Sequence, residues 1–97
     1  MNDTTATVPE ITWPYRERDQ YGRSVKHLHA EGQRGTQAVL VTLPKAYFEK
    51  YGKRYLVNLW LLPYETPRDE KIQEFVNRKD AKAWAERRVA EILASRA

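Results

Sequence analysis

Polar and apolar residues alternate from Ile11 to Arg18, with Ile11, Trp13 and Tyr15 on one side and Thr12, Arg16 and Arg18 on the other. A period of two is the mark of a half-buried strand. Pro14 lacks the N–H a ladder needs, which puts this strand at a sheet edge. Asp19-Gln20-Tyr21-Gly22 supplies turn chemistry, and Arg23 to Ala30 forms the second arm of a hairpin with Val25, His27 and His29 opposed to Ser24, Lys26 and Leu28. The Glu31–Gly35 stretch, with two glycines, is a loop.

Ala38 to Leu43 is apolar on both sides and rich in β-branched residues, which predicts a central strand. Pro44 at a first helical position, about two turns to Tyr51 and Gly52 as terminator predict a short helix. Lys53 to Leu62 is the strongest strand pattern: Tyr55, Val57, Leu59 and Leu61 line one side, and Leu56, Trp60 and Leu62 the other, so both faces are expected to be buried. Pro63 to Asp69 is a two-proline loop and Ile72 to Val76 a last short strand. Asn77 is the N-cap of a helix running to about Ser95, whose stripe of Ala81, Trp84, Ala85, Val89, Ile92 and Leu93 docks on the sheet with Trp84 as its anchor. The fold expected is α+β, a small, mainly antiparallel sheet of four to five strands with a short internal helix and a C-terminal amphipathic helix packed on one face.

Length narrows this to one domain over residues 10–97, because 97 residues hold one core. Residues 1–9 have neither the basic nor the apolar segment of a secretory signal and read as a flexible tail. Apolar runs such as Leu59 to Leu62 are strand-sized, far short of the roughly 20 residues of a membrane span. With no cysteine, stability must come from apolar burial, and a reducing, cytoplasmic compartment is expected.

The residues of catalysis are sparse. Ser24 and Thr42 lack the setting of an activated nucleophile, Glu17 and Asp19 sit at an exposed strand end, and Gly32 and Gly35 lack the Lys-Ser/Thr of a phosphate loop. His27 and His29, with Glu31 next in register, have the types of a zinc site, but no cysteine or second ligand cluster joins them. Neither an enzyme nor a metal nor another cofactor is expected.

Charge changes the picture more. The net charge is +4, and residues 21–60 carry seven basic groups against two acidic ones. Arg16, Arg18, Arg23 and Lys26 can share one face of the first hairpin, and a two-stranded ribbon of this kind fits the major groove of B-DNA. Lys53 and Arg54 form a second basic patch. On the terminal helix, Arg78, Lys79, Lys82, Arg87 and Arg88 alternate with Asp80, Glu86 and Glu91, a pattern that suits a solvated helix face. The expectation is a small nucleic-acid-binding domain, with DNA the favoured polymer.

Two segments carry family resemblances. Tyr15 to Arg23, taken with Phe75 to Trp84, resembles the N-terminal arm-type DNA-binding module of phage tyrosine integrases. That likeness implies a phage or mobile-element origin, with Arg16, Arg18, Arg23 and Lys26 facing DNA while Trp84 serves the core. The family's sheet reaches its helix after three short strands, whereas residues 31–71 here insert a helix and two strong strands. Val41 to Gly52 is similar to the strand-Pro-helix-Gly segment of swapped-hairpin transition-state regulators, which implies a homodimeric DNA binder, although the Gly-Asp turn of that family is missing. The alternative of a different class is an adaptor or inhibitor that engages a host protein through an exposed aromatic patch of Tyr55, Trp60 and Tyr64.

Overall fold

A computed structural model describes residues 9–96, so the tail expected over 1–9 lies, apart from Pro9, outside the described residues. The chain runs β1 (Ile11–Arg18), β2 (Ser24–Ala30), β3 (Ala38–Thr42), α1 (Lys45–Tyr51), β4 (Tyr55–Leu59), α2 (Arg68–Lys71), β5 (Ile72–Phe75) and α3 (Arg78–Ser95). The five strands form one antiparallel sheet in the order β1-β2-β3-β4-β5. This is the α+β architecture that the strand and helix periods predict, with every strand beside its neighbour in sequence.

An antiparallel meander sends alternate connections to opposite ends of the sheet. The β1–β2 turn, α1 and the start of α3 fall at one end. The β2–β3 loop, the β4–β5 segment and the end of α3 fall at the other, where Arg96 donates to the Leu61 carbonyl.

One face of the sheet carries the main core. Leu28, Ala30, Ala38, Leu40, Val57 and Leu59 pack there against Ala81, Ala85, Val89 and Ile92 of α3, all buried. Small side chains at Ala81 and Ala85 let the helix sit close to the sheet. Trp84 is not the deep anchor its size suggests. It is half-buried at the margin, its ring tilted against Phe75 at 5.6 Å between centroids. The opposite face holds a smaller cluster of Val25, Val39, Val41 and Leu43, flanked by Tyr47 of α1 and by Leu56.

Besides Trp84, the structure departs from the sequence pattern at four places. The register of β1 against β2 shifts between Thr12 and Tyr15, a β-bulge around Pro14. Tyr15 therefore pairs with His27 and Arg16 with Lys26, so Tyr15 lies on the face opposite Trp13, while Arg16 and Arg18 join the α3 side. Second, β4 ends at Leu59, and Trp60 is exposed rather than buried, because the β4–β5 connection leaves the sheet there. Third, Pro44 is the extended N-cap of α1 rather than its first helical residue, and Gly52 ends that helix in the left-handed region at φ 74°. Fourth, the two-proline loop contains α2, a single turn after Pro67.

Asn77 does cap α3: its side-chain oxygen accepts from the Asp80 N–H at 2.9 Å. Asn77→Ala removes that acceptor and is expected to cost about 1 kcal/mol. Urea unfolding would show this as a lower midpoint with an unchanged slope.

Candidate nucleic-acid interface

The turn that closes the first hairpin is held by one carboxylate. Asp19 Oδ1 accepts from the backbone N–H of Tyr21 and of Arg23, each at 2.9 Å, and Oδ2 pairs with Arg23 Nε at 2.6 Å. Gly22, at φ 77°, completes the turn, and its carbonyl accepts from Arg18 Nη1 at 2.8 Å. Burial opposes the charge on Asp19, but the bonds from Arg23 and Tyr21 outweigh it and hold the carboxyl below its ordinary range. Arg23 also lies over the Tyr21 ring, 5.2 Å from its centroid. The tip is thus organised by its own residues.

Between this tip and the start of α3 lies an open groove of about 500 Å³, into which Arg16, Arg18, Arg23, Lys26, Arg54 and Arg78 all project a lining surface. No acidic side chain lines it. Its uncharged lining includes Tyr21, Ser24, Thr42 and Pro44. The cations come from β1, the turn, β2, the α1–β4 link and α3, elements that the meander brings to one end of the sheet. Arg16 and Lys26 are cross-strand partners, which sets their side chains beside each other. Arg78 is positioned by an aromatic ring: its guanidinium sits over Tyr55, 5.7 Å from the centroid.

The charge in the groove is largely uncompensated. Arg23 is paired with Asp19, but Arg16, Arg18, Lys26, Arg54 and Arg78 form no ion pair among the described residues. Burial, followed by the positive charges of Arg78, Lys82 and Arg16, pushes the Lys26 ammonium below its ordinary pKa. Arg54 Nε is buried and has no hydrogen-bond partner among the described residues.

Of the residues picked out from sequence, Arg16, Arg18, Arg23, Lys26 and Arg54 come together, while Lys53 does not line the groove. Arg78 is the member that sequence reading assigned elsewhere, to a solvated helix face. Its cue was available: Arg78 follows the N-cap, and counting strands in a meander puts the start of α3 at the same end as the hairpin tip. The aromatic trio is divided. Tyr55 packs on the α3 side beneath Arg78, Trp60 contacts His27 on the opposite face, and Tyr64 is 94% exposed in the β4–β5 segment.

The histidines have structural partners. His27 Nε2 meets Glu17 at 2.5 Å and Nδ1 meets Thr36 Oγ1 at 2.9 Å, with Tyr15 and Trp60 edge-on to the ring. His29 Nδ1 faces the Gly35 carbonyl at 3.2 Å, and no group of three metal-ligating side chains forms among the described residues. A larger hollow, about 690 Å³ between α1 and β5, mixes Arg68 with Asp69 and Glu74 and so has no single charge preference. There Tyr47 donates to Glu74 at 2.7 Å, and this bond, aided by burial, raises the phenol's pKa. Comparison with protein-family models, curated proteins and solved structures finds no match to the chain.

Proposed function

We propose that the chain is a non-enzymatic nucleic-acid-binding domain that holds the phosphate backbone, DNA by preference, in the groove between the hairpin tip and α3. One observation carries this reading: six cations from five parts of the chain line one groove that has no acidic lining. Nucleic acid is the polymer whose dense negative charge repays that crowding, through ion pairing and release of condensed counterions. Guanidinium groups, five of the six, match phosphate oxygens with a planar fork of donors. The organised turn lowers the ordering cost of binding.

The alternative reading, a host-protein adaptor, draws on Tyr55, Trp60 and Tyr64 or on the short helix α1. Tyr55 and Trp60 lie on opposite faces of the sheet and so form no single patch with Tyr64.

Fluorescence anisotropy with a labelled random duplex tests the proposal. With about four to five phosphates engaged, log Kd is expected to rise with log salt at a slope of roughly 4. Arg16→Ala/Arg18→Ala should weaken binding further at every salt concentration. Absence of binding at low salt would sink the reading.

A further inference from the structure

The groove gathers its cations into a small volume, six of them lining about 500 Å³. Each nucleotide of a strand brings one negative charge, and successive phosphates are held apart by a sugar. The spacing of those phosphates is set by the strand, whereas the groove crowds its charge: five of its six cations have no ion-pair partner among the described residues. The cations stand around the groove on β1, the turn, β2, the link before β4, and α3.

We infer that the groove is a site for a condensed phosphate, in which adjacent phosphoryl groups share a bridging oxygen, as in a 5′-triphosphate end of a nucleic-acid strand or a free polyphosphate chain. The inference deepens the anion-binding reading of the same groove and rests on it. A terminal phosphate group carries about −1.5 to −2, where a diester carries one charge, and each condensed neighbour adds more within the same small volume. Such a ligand answers the crowding directly. Lys26, whose ammonium is disfavoured by burial and by Arg78, Lys82 and Arg16, regains a counter-charge. Arg54, which lines the groove without an ion-pair partner among the described residues, offers its guanidinium to the same ligand. Arg78, the first residue of the 18-residue α3, closes the lining from the helix side.

The full chain is titrated at constant ionic strength against three labelled oligonucleotides: one strand with a 5′-triphosphate, the same strand with a 5′-hydroxyl, and a duplex with 5′-hydroxyl ends. Unlabelled tripolyphosphate and orthophosphate serve as competitors. The expected result is at least tenfold tighter binding of the triphosphate end than of the hydroxyl end, and displacement by tripolyphosphate at concentrations where orthophosphate does nothing. Arg54→Lys, which keeps the charge and loses the fork, should weaken binding of the triphosphate end by a larger factor than binding of the duplex, and so narrow the end preference. Equal affinity for both strand ends, with salt-sensitive duplex binding, overturns the condensed-phosphate site and leaves the nucleic-acid reading standing. Binding of tripolyphosphate without any oligonucleotide supports the site, identifies the free chain as its ligand, and removes the nucleic-acid reading. Binding of neither overturns both.

Discussion

Replacing Arg16 and Arg78 together by alanine is expected to weaken duplex binding about a hundredfold or more without lowering the stability of the protein. A charge-assisted guanidinium–phosphate contact is worth about 1.5–3 kcal/mol, and tenfold in affinity corresponds to about 1.4 kcal/mol. Both side chains are exposed, so little packing is lost. The stability arm of the prediction follows from Lys26, which Arg16 and Arg78 help to push below its ordinary pKa, after burial. In the alkaline window between the folded and the ordinary value, the folded chain holds fewer protons than the unfolded one, so stability rises with pH there. Below that window the crowded ammonium is a cost. Taking away two of its positive neighbours reduces that cost, so the double variant should melt at the same temperature as the parent or slightly higher at neutral pH. Anisotropy paired with thermal unfolding checks both arms. A variant that loses binding only because it unfolds would contradict the assignment of these side chains to the interface.

Gln37→Leu should have the largest effect on stability. Gln37 is 1% exposed, and its side chain substitutes for backbone pairing where the β2–β3 loop leaves the sheet. Its Oε1 accepts from the Ala30 N–H at 2.7 Å, while Nε2 donates to the carbonyls of Arg34 and Gly35. Leucine matches the volume but leaves the buried Ala30 N–H without an acceptor, at a cost of about 2–3 kcal/mol. For a chain of this size that lowers Tm by on the order of 10 °C or more. Gln37→Glu should behave differently. Its carboxylate still accepts from Ala30 but faces two carbonyls without a donor, so its deficit should shrink as the pH is lowered and the carboxyl protonates. Calorimetry across pH separates the two variants. Neither should change the salt slope of nucleic-acid binding, because the loop lies at the end of the sheet away from the groove.

Local chemistry made most of the fold legible. The β-branched run from Ala38, the Asn77 cap and the three- and four-residue recurrence from Ala81 to Ile92 each specify an element through neighbours within a few residues, and those elements are present. The structure departs from the local pattern where an outcome depends on distant partners. Alternation put Tyr15 with Trp13, but one extra residue at the Pro14 bulge reverses every side chain beyond it, and the bulge exists only against β2. The apolar run through Trp60 suggested burial on both faces, but the sheet ends at Leu59 and nothing in the local pattern states where a partner strand stops.

The candidate site divides in the same way. The stock of charges, the turn chemistry of Asp19 and Gly22, and the placement of Arg16, Arg18, Arg23 and Lys26 on one hairpin are all legible along a short segment, because each follows from local spacing. That Arg54 and Arg78 join them and Lys53 does not is set by the folded arrangement. That outcome depends on strand order and on Tyr55 holding the Arg78 guanidinium, contacts between residues far apart in sequence. A charge declares its sign in the sequence, but its effect depends on its neighbours in space, and here folding gathers the cations faster than it supplies carboxylates to neutralise them.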